Sequence, residues 1–244
     1  MYTLFRKIYR KRKLYYKVNW IKTIYFNLKA FPFSMAKKLP VYIYGRVKLQ
    51  NINGNIKIEA PIKPGMIGFG QPFELNSVHR GTAELVIQGE MVFKGHVQFG
   101  KDYFIYVAKD AYIEFGHMSS LASNGKIICR HKIVLGDYTR IGSESQLIDT
   151  NFHQMIDSIT GEKFVLQAPI VLGSYNYISN RVSVMLDTKT PSYCTIASNT
   201  LCNKDYTALG QNILIGGIPA KLLKSNITRD WKTEKELLDQ WLIV

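Results

Sequence analysis

From residue 41 onward the hydrophobic positions of this chain fall in short runs. The segment VYIYGRVKLQNINGNIKIEA, which starts at Val41, sets β-branched residues between glycine and asparagine, and this predicts short strands separated by turns. The runs also repeat. VQFG at Val97–Gly100, IEFG at Ile113–Gly116, IVLG at Ile133–Gly136 and IVLG at Ile170–Gly173 follow one another at offsets of 16, 20 and 37 residues. Between these anchors the period shortens to six. LGDYTR, IGSESQ and LIDTNF run on from Leu135, LGSYNY and ISNRVS from Leu172, and IASNTL begins at Ile196. Each block opens on an aliphatic residue, usually followed by a small one.

A block of six residues with one inward aliphatic is too short to go out and return as an antiparallel pair. Three blocks make an 18-residue triangular coil, and stacked coils bury one aliphatic per block. This predicts a parallel β-helix over residues 41–215, of roughly eight or nine coils. The offsets of 16 and 20 read as single coils, trimmed or bulged; that of 37 reads as two coils, or one coil plus an excursion. The pattern fails at LIDTNFHQM, Leu147–Met155, and resumes at Ile170, so an irregular loop is expected over 153–168.

Different patterns flank the repeat. The first 40 residues carry eleven basic and ten aromatic side chains, and Leu14, Val18, Ile21, Tyr25 and Leu28 share one helical face. A basic helix with an apolar stripe suits peripheral contact with an anionic membrane; packing of that stripe on the domain is the alternative. No nucleic-acid motif accompanies it. At the other end Trp231, Leu238 and Trp241 have helical spacing, predicting a C-terminal helix within 225–244 that covers the open end of the coils. The division is therefore 1–40, 41–224 and 225–244.

Composition adds two points. The net charge of +14 is local: fourteen Lys and Arg precede the first acidic residue, Glu59, and residues 59–244 balance at 18 and 18. The basicity thus concerns an attachment surface rather than the fold. Three cysteines without C-x-x-C spacing, no 18-residue apolar window and no secretion signal together lead us to expect a cytoplasmic protein, and the basic segment allows a place at the inner face of the membrane.

Over roughly residues 60–224 the chain resembles the hexapeptide-repeat acyltransferases, in particular the sugar O-acetyltransferases of polysaccharide biosynthesis. The six-residue blocks carry this likeness, with DTNFH at Asp149–His153 and the closing run IASNTLCNKDYTALGQNILIGGIPAKLLK from Ile196 to Lys224. The resemblance implies a left-handed winding, a homotrimer, and acetyl-CoA as acyl donor in a groove between coils of two subunits, with no metal. It makes His153 the general base, and a neutral imidazole suits removal of a hydroxyl proton near neutral pH. Asp149 would orient the acceptor hydroxyl or His153, and Asn151 would bind the acceptor, although such residues are also ordinary corner formers. Tyr177, Asn180, Ser198, Asn203, Lys204, Lys221 and Lys224 match cofactor-binding positions, the lysines facing CoA phosphates. Tyr177 stands where the family commonly has tryptophan, and Ser179 and Ala197 where it has glycine, which tightens the room for pantetheine. The expected reaction is acetyl transfer to a hydroxyl of a sugar or lipid-linked glycan precursor. N-acetylation of an amino sugar or nucleotide-linked amino sugar, and a non-catalytic β-helix scaffold in a glycan synthesis complex, are the alternatives. A zinc site is disfavoured because His79, His96, His117, His131 and His153 lack ligand spacing.

Overall fold

The computed structural model describes residues 9, 12–74 and 81–242. His79, the first eight residues and the side chain of Trp241 lie outside that description. The chain visits three faces in turn. The first face has eight parallel strands, from Val41–Ile43 to Ile213–Gly216, and an antiparallel ninth, Lys221–Ser225; the second has seven and the third six. Among the described residues six coils are complete, a seventh lacks its third strand, and Ile213–Gly216 closes the stack. The domain is a parallel β-helix, all-β apart from helices at its ends.

Register explains why the coils stack. On the first face Ile43, Phe69, Phe99, Leu121, Ile141, Ile178, Ile196 and Ile215 sit directly over one another, all buried. Ile113, Ile133 and Ile170 form the matching column on the third. Each such side chain contributes about 1.5–3 kcal/mol by leaving water. The first of the sequence offsets needs correction. VQFG lies on the first face and the other three anchors on the third, so 16 residues separate faces, not coils. An aliphatic pair before glycine suits more than one face, and identity of sequence therefore does not fix the face. The offset of 37 is one coil plus an excursion, since the next coil on that face, Val171 to Lys189, takes 18 residues.

The corners use left-handed backbone. Met118, Tyr138, Tyr175, Tyr193 and Asn212 have positive φ on entry to the first face, and Asp102, Asn124, Glu144, Arg181 and Asn199 on exit. Such a conformation costs a non-glycine residue roughly 1–2 kcal/mol. Along the entry corner stacking offsets it: Tyr138, Tyr175 and Tyr193 lie face to face at 5.2 and 4.8 Å, each contact contributing about 0.5–1.5 kcal/mol.

Both ends differ from the sequence expectation. Asn19 accepts a hydrogen bond from Lys22 N and starts a new helix, α1 (Trp20–Ala30), which interrupts the predicted stripe. Leu14 and Val18 pack on Tyr42 and Tyr44, whereas Ile21, Tyr25 and Leu28 point to solvent. The inner face of α1 is Thr23, Phe26 and Asn27. Thr23 Oγ1 accepts from Ile43 N at 3.0 Å; Asn27 accepts from Val41 N at 3.2 Å and donates to Val41 O at 2.8 Å. Two side chains thereby satisfy the otherwise open edge of the first strand. A short helix, α2 (Phe33–Ala36), links α1 to that strand. The C-terminal helix α3 (Trp231–Leu242) lies along the side of the stack rather than over its end. Trp231 is buried against Met118 and Tyr138 and meets Tyr175 edge-on, and Tyr138 OH donates to Asp239 at 3.3 Å. The helix packs on the tyrosine column, and the exposed, lysine-bearing strand Lys221–Ser225 pairs with the last strand of the first face instead.

Asn27→Ala, which leaves the Val41 amide and carbonyl without these partners, is expected to lower unfolding stability by about 1–3 kcal/mol in urea titration; an unchanged midpoint would show that the edge is held otherwise. Burial, reinforced by the neighbouring His117, holds the His96 imidazole down at about 4. Its folded pKa lies below the ordinary 6.5, so the unfolded chain takes the proton first and stability falls as pH drops from 6.5 to about 4. The loss should be on the order of 3 kcal/mol, and His96→Gln should flatten that part of the stability–pH curve.

Candidate active site

The break in the repeat occurs where the second-face strand Gln146–Ile148 turns toward the third face. Asp149 fills the corner. Its side chain is fully buried; one carboxylate oxygen accepts from Arg130 N at 2.7 Å, the other from His131 N at 2.8 Å. Its carbonyl accepts from Ala168 N at 3.1 Å, closing the base of the excursion. This corrects the expectation that Asp149 orients the acceptor hydroxyl or His153: both oxygens are engaged by the backbone of the preceding coil, and no face of the side chain reaches solvent.

Between these points the chain is not irregular. It forms a two-limbed antiparallel ribbon with bridges Thr150 to Gln167 and Ile156 to Lys163. Asn151 N donates to Leu166 O at 2.8 Å and Asn151 Nδ2 to Val165 O at 3.3 Å; Gln154 Nε2 reaches Phe164 O at 2.7 Å. Asp157 Oδ1 accepts from Ile159 N and Thr160 N, and Gly161, at φ +74°, turns the tip. Gln154 was not singled out in the sequence, where a glutamine after histidine has no distinguishing signal.

His153 stands at the mouth of the ribbon, just after Phe152, whose φ is +59°. Its backbone N–H donates to Asn151 O at 2.6 Å. The imidazole is exposed, and among the described residues no hydrogen bond engages either ring nitrogen. Such a side chain can take or give a proton at a group brought to it. Asn151 is exposed beside it with its amide oxygen free to accept.

The other predicted residues divide by corner. Asn203 and Lys204 lie two coils on, at the corner from which the ribbon bearing His153 springs, about 10 Å from Asp149 by strand spacing. Asn203 N donates to Tyr206 OH at 3.4 Å, and the Lys204 ammonium lies 5.6 Å from the Tyr206 ring centre. Asn180 and Ser198 occupy the corner that leaves the first face, across the width of the second. There Asn180 Oδ1 accepts from Ser143 N at 3.1 Å, and Asn180 O accepts from Asn199 N at 3.2 Å. Tyr177 faces outward on the first face beneath the Arg229 guanidinium, 4.7 Å away. Lys221 and Lys224 are exposed on the closing strand, with no acidic partner among the described residues. One chain therefore does not bring Asn180, Ser198, Tyr177 or the closing lysines to His153. Ser179 and Ala197 belong to a column of small residues with Ala122, Gly142 and Gly216. A Cβ on Gly142 would lie 2.7 Å from the Ser179 backbone, so close stacking of coils already limits this position.

Among the described residues no three His, Cys, Asp or Glu side chains converge as metal ligands, and no helix is long and apolar enough to cross a membrane. A cleft of about 630 Å³ lined by Lys17, Arg46 and Lys101 lies in the first coils, away from His153.

No protein-family model matches the chain, and no curated protein aligns with it. Solved structures do resemble it. The polySia-specific acetyltransferase NeuO is 16% identical over 75% of this chain and 81% of its own, with a TM-score of 0.48. The hexapeptide-repeat-containing acetyltransferase VCA0836 of Vibrio cholerae O1 biovar eltor, complexed with acetyl coenzyme A, is 22% identical over 53% and 66%, with a TM-score of 0.43. AntD, an N-acyltransferase from Bacillus cereus solved with dTDP and 3-hydroxybutyryl-CoA, is 12% identical over 86% and 97%, with a TM-score of 0.41.

Asp149→Ala is expected to cost about 1–3 kcal/mol, because two buried amide groups lose their acceptor, and to speed tryptic cleavage at Lys163 within the ribbon. Asp149→Asn, which keeps one acceptor oxygen, should lose less. Equal stability and cleavage in Asp149→Ala and the unaltered chain would remove Asp149 from this role.

Proposed function

We propose that the protein is an acetyl-CoA-dependent acyltransferase that acetylates a hydroxyl of a sugar or glycan precursor, with His153 as general base. The observation that carries the reading is the exposed His153 imidazole, held at the root of a hydrogen-bonded ribbon on the same corner as Asn203 and Lys204. On this reading the helix winds left-handed and the site forms between copies of the chain. Two features support an assembled site. The residues expected to hold CoA are split between separate corners, and the ribbon exposes Met155, Ile156, Ile159, Phe164 and Val165 at 56–93%, an apolar surface suited to a neighbouring copy in a trimer.

The chemistry follows from the base. The acceptor hydroxyl approaches the free ring nitrogen of His153, which takes its proton as the oxygen attacks the thioester carbonyl. Backbone N–H groups stabilise the tetrahedral oxyanion. The carbon–sulfur bond then breaks, and the CoA thiolate takes back the proton from the imidazolium. Lysines at 204, 221 and 224 offer charge for the CoA phosphates. Asn151 is left as the acceptor-side contact, while Asp149 acts through the corner it holds.

The test is release of free CoA from acetyl-CoA with a panel of sugar, nucleotide-sugar and lipid-linked acceptors. His153→Ala should lower turnover by about 10²–10⁴-fold, and the product should give up its acetyl group to alkaline hydroxylamine as acetohydroxamate, freeing the hydroxyl, as an ester does. An amide product resistant to hydroxylamine would transfer the reading to an amino-sugar acceptor. Full turnover in His153→Ala would remove the mechanism, and no turnover by the unaltered chain would favour a scaffold.

A further inference from the structure

The outer surface of α1 is inverted relative to an ordinary surface helix. Its polar side chains, Thr23 and Asn27, are fully buried because they terminate the first strand. Phe26 is its one large apolar side chain fully buried, and four others face out: Ile21 is 84% exposed, Ile24 46%, Tyr25 54% and Leu28 54%, with Phe33 of α2 at 72%. Positions 21, 24, 25 and 28 cover about 100° of the helix, the width of a stripe that normally packs on something. Lys29, Lys37 and Lys38 are exposed around it, while the Lys22 ammonium turns back to Val47 O.

From these observations we infer that the outer face of α1, with Phe33, docks on an anionic lipid bilayer. Charge decides between this occupant and a second copy of the chain. No acidic residue precedes Glu59, so apposing two such faces would bring together two dense sets of cations with nothing to neutralise them. A leaflet with anionic headgroups supplies apolar depth for the stripe and counter-charge for the lysines. The face looks away from the coil stack, because the opposite side of α1 is bonded to the first strand. The coil that carries His153 is four strand spacings further along the stack, or about 20 Å at the usual interval. The stack then stands on the membrane, with the candidate site above the headgroups.

The experiment is co-sedimentation of the full chain with vesicles of phosphatidylcholine alone and of phosphatidylcholine mixed with phosphatidylglycerol. The chain should pellet with the anionic vesicles, lose at least tenfold in affinity with Ile21→Asp/Leu28→Asp, and lose a comparable amount with Lys29→Glu/Lys37→Glu/Lys38→Glu or in high salt. Melting temperatures of both variants should match the unaltered chain, since all five side chains are outside the core. Equal binding of the variants would overturn the inference. So would failure of the unaltered chain to bind, or a lower oligomeric mass of Ile21→Asp/Leu28→Asp in vesicle-free solution, which would assign the face to a second copy.

Discussion

Everything in this protein depends on the vertical register of inward aliphatic side chains from coil to coil. A six-residue face turns only two side chains inward, as Ile133 and Leu135 do, and without a coil above and below these stay open to water. Ile133 is shielded because Ile113 lies beneath it and Ile170 above. Register in turn requires corners of constant geometry, which is why left-handed residues recur at both the entry and the exit corner of the first face, coil after coil, and why small residues occupy the position at each exit corner. An insertion within a face would displace a whole column from the core. An insertion at a corner displaces nothing, provided its two ends return to the same point.

The excursion after Ile148 meets that condition through Asp149. A buried carboxylate that accepts two backbone amides of the coil below fixes where the excursion leaves, and its carbonyl fixes where it returns. The ribbon between is bonded to itself and rests little on the coil. His153 therefore stands on a rigid root but in open solvent, with its ring nitrogens open to a group brought to them. The same principle governs the N-terminal end. The first coil has no coil beneath it, so Asn27 and Thr23 supply the missing acceptors and donor, and Ile21, Ile24, Tyr25 and Leu28 of α1 are left outside.

The coil architecture was legible in the sequence because its period is short and each block repeats an aliphatic residue at one position. The face of each block was not, since Val97–Gly100 and Ile133–Gly136 read alike yet lie on different faces. The position of His153 was legible as the point where the pattern fails. The part played by Asp149 was not, because a turn-forming aspartate and a substrate-binding one have the same letter and differ only in what their oxygens touch. At the N-terminus helical spacing alone joined Leu14 to Leu28. The cap formed by Asn19 divides them, and only the demand of the first strand for hydrogen-bond partners explains why Thr23 and Asn27 turn inward.

The central claim is that His153 works with corner residues supplied by another copy of the chain. Mixing two inactive variants tests it most directly: His153→Ala, which lacks the base, and Ser198→Trp, which fills the opposite corner, combined by reversible dissociation and reassembly. A site shared between chains predicts that the mixture regains part of the acetyl-CoA turnover that neither variant has alone, because some junctions then pair an intact His153 with an intact Ser198. A mixture as inactive as its components, with exchange of chains verified by mass, would contradict the account.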